Sequence, residues 1–147
     1  MEAKKAVELL WARTKEENFP KLLNLEVLDI EPGRALVAMN YTENLTNIFG
    51  MLHGGAVFSL LDEAFQLACN AHGEVAVALQ LSIHYLAPAE PGARLLAEVR
   101  EINATRKTAL YEAEVRQDDG KRIASGQALA YRKGKPLPFT PEGRLAE

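Results

Sequence analysis

A carboxylate within an apolar helix is the feature of this sequence that most strongly suggests chemistry. Residues 56–69 are apolar at almost every position, a pattern typical of a helix enclosed by protein, yet they include Asp62 and Glu63. We predict that Asp62 is shielded from water, whereas Glu63 is the solvent-facing acid. Burial raises the pKa of a carboxyl group, which would suit Asp62 to act as a general base or nucleophile. The structural alternative is an acid that is exposed or paired with a nearby cation.

Two glycines begin this helix. Gly54 and Gly55 each cost about 1 kcal/mol of helix stability relative to alanine, so a purely structural helix would not favour them. Bare backbone N–H groups at the positive end of the helix dipole can approach a carbonyl oxygen closely and polarise it. The pair therefore predicts an oxyanion hole, with close helix packing as the alternative.

An amide and a histidine precede the glycines. Asn47, His53 and Asp62 lie within sixteen positions of one another. His53 alone would be interpreted as a core or loop histidine. Few reactions combine polarisation of a carbonyl group with a single carboxylate, so the combination favours a catalytic site.

The remaining sequence indicates the elements that position these residues. Residues 3–18 have the pattern of an amphipathic covering helix. Period-two alternation predicts strands at 25–30, 35–39, 75–85, 95–102, 108–117 and 123–131. Strict alternation places Val27 and Ile30 on opposite faces, and it separates the odd-numbered from the even-numbered residues of 75–85. One long helix against an antiparallel sheet, an α+β fold, is the result.

The C-terminal part of the sequence contains a row of small side chains followed by prolines. Ala124, Gly126, Ala128 and Ala130 share one strand face, which predicts a close neighbour such as the long helix. The tail 134–147 contains three prolines and is not expected to continue the strand. We interpret 1–147 as a single domain, with an N-terminal helical segment at 1–20.

Composition excludes several classes of function. The net charge is -3, and basic residues are scattered among acids, so no nucleic-acid-binding stripe is present. No apolar run approaches the length of a membrane span, and no targeting segment is apparent. The only cysteine, Cys69, is expected in the core. We therefore predict a cytoplasmic protein without nucleic-acid or membrane partners.

The spacing Asn47-x5-His53-Gly54-Gly55-x6-Asp62 resembles the motif of the hotdog-fold acyl-CoA thioesterases, in particular the PaaI-like (phenylacetate-degradation) branch. Residues 81–89, Leu-Ser-Ile-His-Tyr-Leu-Ala-Pro-Ala, resemble the family's strand that ends in an aromatic, a leucine and a proline. Residues 120–126 resemble its last hairpin. The similarity extends from about residue 20 to about residue 133.

This resemblance implies a hotdog fold, a curved antiparallel sheet wrapped around one long central helix. It also implies a homo-oligomer, usually a tetramer built as a dimer of dimers, with active sites at the dimer interface. The implied activity is hydrolysis of an acyl- or aryl-CoA thioester. Coenzyme A is then part of the substrate, and no other cofactor and no metal is expected.

Residue roles follow from the same resemblance. The N–H groups of the Gly54 region would polarise the thioester carbonyl, and Asp62 would attack it or activate a water molecule. Asn47 would position the substrate or the water, and His53 would shape the loop. Gln66, one turn after Asp62, is a candidate to orient the water.

Further candidates lie on the strand after the helix and in a hairpin. Many relatives have a Ser or Thr where this chain has Ala78; Gln80 or Ser82 on the same face would replace that hydroxyl, or water alone would serve. Polar hydrogen bonding within the strand or an interface is the alternative for both. Arg106 and Lys107 are candidate contacts for CoA phosphates, with a solvated hairpin tip as the alternative.

Two rival functions belong to other classes. A hotdog protein that binds or senses acyl-CoA without hydrolysis is the first, although the chain retains Asp62 and shows no DNA-binding helix-turn-helix. Hydration or dehydration of an acyl thioester is the second, although the spacing resembles the thioesterase pattern. The acyl group is open, because the apolar candidates for its pocket suit aryl and medium chains alike. Those candidates are Phe49, Met51, Leu52, Phe58 and Phe65.

Overall fold

The computed structural model describes residues 1–147 as three α-helices, a short 3-10 helix at Glu43–Leu45 and a six-stranded sheet. The helices are α1 Ala3–Thr14, α2 Phe19–Leu22 and α3 Gly54–Asn70. The strands are β1 Glu26–Glu31, β2 Arg34–Asn40, β3 Glu74–Tyr85, β4 Arg94–Ala104, β5 Thr108–Gln117 and β6 Arg122–Pro136. All strand pairs are antiparallel, in the order β1-β2-β4-β5-β6-β3. This agrees with the predicted α+β architecture.

Helix α3 forms the centre of the core because it is apolar on nearly every side. It contacts all six strands, so the sheet must curve around it. Leu60, Leu61 and Phe65 are at most 1% exposed, and the Phe65 ring meets the ring of Tyr111 edge-on, with 5.5 Å between centroids. Burial of each such side chain contributes about 1.5–3 kcal/mol, which fixes the helix and hence its first residue, Gly54.

Two β-bulges change which face of the sheet the following residues occupy, so strict alternation assigns those residues to the wrong face. In β1, Val27 pairs with Val37 and Ile30 pairs with Ala35, because one extra residue lies between them. Directly paired residues share a face, so Val27 and Ile30 both face the core rather than opposite sides. The second bulge lies in β3 and changes the site.

The small side chains of β6 have the close neighbour that the sequence predicts. A Cβ atom added to Gly126 would lie 3.4 Å from a methyl group of Leu61 on α3. It would also collide with the backbone carbonyl oxygen of Ser82 on β3. The neighbouring strand therefore requires glycine at this position, and the long helix packs against the same face at van der Waals distance.

The two ends of the chain differ from the prediction. Helix α1 ends at Thr14, and β6 continues to Pro136 although the tail from Gly134 was expected to leave the strand. Gly134 makes this possible because its φ of +69° suits glycine and its N–H donates to Glu74 on β3 over 2.5 Å. Beyond the strand, the tail packs against α1, where Arg13 lies 5.7 Å above the ring of Phe139.

None of the three helices combines the length and apolarity needed to cross a bilayer.

Candidate active site

The backbone N–H of Gly54 is free of hydrogen bonds within the chain. Helix α3 begins at this residue, and the N–H groups of Ala56 and Val57 both donate to the carbonyl of His53. The N–H of Gly55 donates to the His53 ring nitrogen Nδ1 over 2.8 Å. Of the first four N–H groups of the helix, only that of Gly54 remains to bind an external acceptor.

His53 is the residue that caps this helix. Its Nδ1 accepts from Gly55, so a neutral ring carries its proton on Nε2. Its own N–H donates to the carbonyl of Leu45 over 2.7 Å, which fixes the loop before the helix. The expectation that both glycines offer N–H groups is therefore wrong for Gly55, whereas the predicted loop-shaping part of His53 agrees with these contacts.

Asn47 organises the loop that leads to the helix. Its Oδ1 accepts from the backbone N–H groups of Phe49 and Met51, over 2.9 and 3.1 Å. Its amide nitrogen has no hydrogen-bond partner within the chain and remains available as a donor. The structure thus places a second unused donor near the start of α3.

An open cavity of about 450 Å³ brings Asn47 and Gly54 together, and we call it the Gly54 cavity. Most of its lining is apolar and includes Met51 and Leu52, two of the predicted pocket residues. Phe65 instead lies in the core, Phe49 is 75% exposed, and Phe58 does not line this cavity. The opposite wall is the predicted strand end, Tyr85 to Ala89.

Tyr85 explains why residue 54 is a glycine. Its hydroxyl donates to the Gly54 carbonyl over 3.0 Å. A Cβ at residue 54 would lie 3.1 Å from the Tyr85 ring, tighter than ordinary van der Waals contact. Tyr85 is not among the site residues predicted from the sequence; its position before Leu-Ala-Pro was the available signal.

Asp62 is exposed on α3 rather than shielded, so the predicted burial is wrong for the single chain. Its carboxylate makes no hydrogen bond or ion pair within the chain, so no cation pairs with it. Partial desolvation, followed by the negative charge of Glu17, raises the pKa of Asp62. The structure therefore presents an unpartnered carboxyl group, as a catalytic acid or base requires.

Glu63 is the buried acid, which reverses the predicted arrangement of the two neighbours. It is only 6% exposed, and its Oε1 has no hydrogen-bond partner. Burial, followed by the negative charge of Glu17, raises the pKa of Glu63 to about 8. Glu63 is thus largely protonated near neutral pH, and it adds little negative charge beside Asp62.

Glu63→Gln should flatten the pH dependence of stability. Folded Glu63 retains a proton that the unfolded chain loses above its ordinary pKa of 4.5. The wild-type free energy of unfolding should therefore fall as pH rises from about 4.5 to about 8, by at most about 1.4 kcal/mol per pH unit. Urea denaturation of both proteins near the two ends of that range measures this; parallel pH profiles would contradict it.

Gln66 has two hydrogen-bond partners within the chain. Its side-chain nitrogen donates to Glu17 over 2.9 Å and to Glu63 over 3.3 Å. This amide connects the segment after α1 to α3. The role of Gln66 in orienting a water beside Asp62 stays a prediction.

The second bulge separates the three candidates on β3. Ala78 pairs with the buried Ala130, whereas Gln80 pairs with Leu129 on the other face of β6, because Leu79 is an extra residue between them. Gln80 and Ser82 therefore lie on the outer face of the sheet, and Ala78 lies on the helix side. The expectation that either shares the face of Ala78 is wrong.

The largest cavity, about 670 Å³, lies on that outer face and includes Ser82. Charged side chains line it, and they pair with one another: Arg100 contacts Glu98 over 2.8 Å, and Arg122 contacts Glu114 over 2.5 Å. These ion pairs leave little apolar surface for an acyl group, and Gly54 does not line the cavity.

Arg106 and Lys107 lie in the β4–β5 turn, as predicted, with exposed side chains. Neither forms an ion pair within the chain, and the Lys107 ammonium lies 5.7 Å from the centroid of the Tyr131 ring. Both charges are thus available to an anion. No group of three or more His, Cys, Asp or Glu side chains is arranged to hold a metal ion.

One chain does not bring the free N–H and the carboxylate together. Asp62 lies eight positions after Gly54 on α3, which corresponds to about 12 Å along the helix axis. A carbonyl group bound at Gly54 therefore lies beyond the reach of Asp62 of the same chain.

The model of the thioesterase superfamily matches residues 49–124, which include α3 and β3–β5. This chain belongs to the thioesterase superfamily. It is a thioester hydrolase of the PaaI-like branch with the hotdog fold, as the motif around Asp62 predicted. Acyl-coenzyme A thioesterase PaaI of Escherichia coli is 32% identical over 114 residues, covering 78% of this chain and 81% of that protein.

Solved structures support the same assignment. The E. coli PaaI structure has a TM-score of 0.86 and 29% identity, and the match covers 92% of this thioesterase and 99% of that chain. A Streptococcus mutans protein bound to acetyl CoA has a TM-score of 0.73 and 28% identity, with 77% and 91% coverage. The similarity therefore includes the strands and helix that surround Gly54.

Proposed function

We propose that this thioesterase hydrolyses acyl-CoA thioesters, with the Gly54 N–H polarising the carbonyl and Asp62 supplying the carboxylate. The observation that carries the proposal is the unpaired N–H at the start of α3, which lies in an apolar cavity beside the free amide of Asn47. The name of the E. coli relative and the acetyl CoA bound to the S. mutans protein support this substrate class.

The chemistry requires few groups because a thioester carbonyl is already electrophilic and a thiolate leaves readily. With Asp62 as general base, water loses a proton to the carboxylate and attacks the carbonyl carbon. The Gly54 N–H stabilises the resulting oxyanion, the C–S bond breaks, and the CoA sulfur takes up the proton. With Asp62 as nucleophile, the carboxylate attacks the carbonyl carbon, the C–S bond breaks and the CoA thiolate leaves as an acyl anhydride forms. Water then cleaves the anhydride to the free acid and the Asp62 carboxylate, and the thiolate takes up a proton from that water. Both routes use the same carboxylate.

Two copies of the chain are needed for a complete site in this proposal. Gly54 and Asp62 are about 12 Å apart along the helix axis, too far for one substrate carbonyl to contact both, so in this proposal Asp62 comes from the partner subunit. Strand β3 is an unpaired sheet edge, and its Leu79 is 58% exposed. Ile48 and Phe49, in the loop before Gly54, are 92% and 75% exposed. Such apolar surfaces suit an isologous dimer, which would pair again into the tetramer that the resemblance implies.

We place this thioesterase in the cytoplasm on the basis of its cysteine. Cys69 is 5% exposed, and burial raises the pKa of its thiol to about 12. A single unreactive thiol suits a reducing compartment.

The proposed activity is tested by release of free CoA thiol from aryl-, short-, medium- and long-chain acyl-CoA. Wild-type protein and Asp62→Asn are assayed side by side. Release that depends on Asp62 supports the proposal. Binding of acyl-CoA without release from any substrate would contradict it and favour the non-hydrolytic binding protein.

Replacement of both Arg106 and Lys107 by alanine should raise KM for acyl-CoA about tenfold and leave kcat unchanged. The two cations are exposed and unpaired, so they are available to CoA phosphates, and each phosphate contact contributes modestly in water. The wild-type KM should also rise with salt, and that dependence should weaken in the variant. An unchanged KM would show that Arg106 and Lys107 do not contact CoA and form only a solvated turn.

A further inference from the structure

A second cavity lies at the start of α3, and we call it the α2 cavity. It has a volume of about 280 Å³ and shares no lining residue with the Gly54 cavity. Its apolar walls come from α2, the segment before the Asn47 loop, and α3: Phe19, Leu23, Leu45 and Ala56. His53 and Gly55 border it, so the two cavities flank the turn that presents the Gly54 N–H.

The α2 cavity lies beside the start of α3, where the substrate carbonyl is proposed to bind. Gly55 and Ser59 are four residues apart and therefore share one side of α3, whereas Gly54 and Val57 face the other cavity. The side with Gly55 and Ser59 continues along the helix to Asp62. In the proposed dimer this Asp62 serves the site of the partner subunit, so the α2 cavity is related to the reacting carbonyl by the turn at His53 and Gly55, which it borders and which presents the Gly54 N–H.

A thioester carbonyl has two arms, and the two cavities can accept one each. The CoA arm must leave the protein to place its nucleotide in water, and the Gly54 cavity extends to the surface residues Leu86 to Ala89. The acyl arm is shorter and apolar. We infer that the α2 cavity binds the acyl group of the substrate and that Phe19 is a specificity-determining residue. This inference rests on the proposed thioesterase function.

The volume indicates the class of acyl group. A closed apolar cavity of about 150 Å³ is sufficient to hold benzene. The α2 cavity is open to solvent, with Phe19 57% exposed at its wall, and its volume of about 280 Å³ suits one aromatic ring with a short linker or a chain of about eight carbons. Each additional buried CH₂ should tighten binding roughly fourfold until the cavity is filled. Affinity should therefore rise from acetyl to phenylacetyl or octanoyl and then level off.

Binding of thioether analogues of acyl-CoA, which do not hydrolyse, tests the inference without turnover. Titration calorimetry would compare CoA with its S-ethyl, S-phenylethyl and S-octyl derivatives. Phe19→Ala should weaken binding of the phenylethyl and octyl analogues roughly tenfold and leave CoA and the ethyl analogue unchanged. Ser59→Leu, which fills the same cavity, should have the same selectivity.

The matched control is Leu22→Ala. Leu22 lies on the same short helix but is 76% exposed and lines neither cavity, so all affinities should match the wild type. A Phe19→Ala effect that is equal for CoA and all analogues, or absent for all, would overturn the inference. Because these readouts are affinities, they are distinct from a failure of thiol release, which would instead overturn the proposed activity.

Discussion

Asp62→Asn should lower kcat by about 10²- to 10⁴-fold, the usual effect of losing an acid–base group, and should leave the fold and the oligomer intact. The carboxylate has no hydrogen bond or ion pair within its own chain, so the amide breaks no such contact there. Thiol release measures the loss of kcat. Circular dichroism measures whether the fold is intact, and size-exclusion chromatography measures whether the oligomer is intact. Unchanged turnover would contradict a catalytic carboxylate at this position.

The adjacent acid provides the control for this variant. Glu63 is buried with its side chain directed away from solvent, so Glu63→Gln should change stability far more than turnover. A large loss of kcat in Glu63→Gln, with little loss in Asp62→Asn, would show that Glu63 rather than Asp62 performs the chemistry. Comparison of the two variants therefore separates the effect of losing any acid in α3 from the effect of losing the acid that is proposed to react.

Gly54→Pro should lower kcat by about 10²- to 10³-fold, because it removes the one N–H proposed to hold the oxyanion. Proline is tolerated at the first position of a helix, where its missing N–H breaks no helical hydrogen bond. The preceding residue, His53, has φ of -66° and ψ of 131°, a conformation that proline permits. In its effect on the backbone, the substitution therefore removes the Gly54 N–H and changes little else.

Proline also places a Cβ beside the Tyr85 ring, and Gly54→Ala is the matched variant that controls for this crowding. Both substitutions place a Cβ about 3.1 Å from the Tyr85 ring, but alanine retains the N–H. Alanine should cost much less turnover than proline, since the exposed Tyr85 side chain can shift. Equal losses in the two variants would attribute the effect to crowding of Tyr85 rather than to the lost donor.

The elements of the fold could be predicted from the sequence because they depend on local patterns. Gly54-Gly55 before an apolar run predicts the start of α3, and alternation places all six strands to within a few residues. The bulges at Leu28 and Leu79 could not be predicted in this way. An extra residue leaves the alternation of residue types intact and becomes visible only in the pairing with the next strand.

The assignment of the two acids failed for a different reason. An apolar pattern around the whole helix does not show which side the sheet covers, so it cannot separate Asp62 from Glu63. Their environments depend on the packing of α3 against the sheet and on Glu17, which follows α1. That only one of the two glycine N–H groups is free likewise depends on the His53 ring accepting a hydrogen bond from Gly55, a contact that no spacing in the sequence reveals.

The most direct test of the account is whether two inactive variants restore each other's activity. Asp62→Asn and Gly54→Pro chains, carrying different tags, are co-expressed, and the mixed oligomers are purified by both tags. If each site takes its N–H from one subunit and its carboxylate from the partner, a hybrid dimer contains one intact site of two. An equal random mixture should therefore recover about a quarter of the wild-type turnover. Oligomers purified by both tags should recover about half if they are dimers, and a little more than a quarter if they are tetramers of randomly formed dimers. Turnover that stays at the level of the separate variants would contradict a site shared between two copies of this chain.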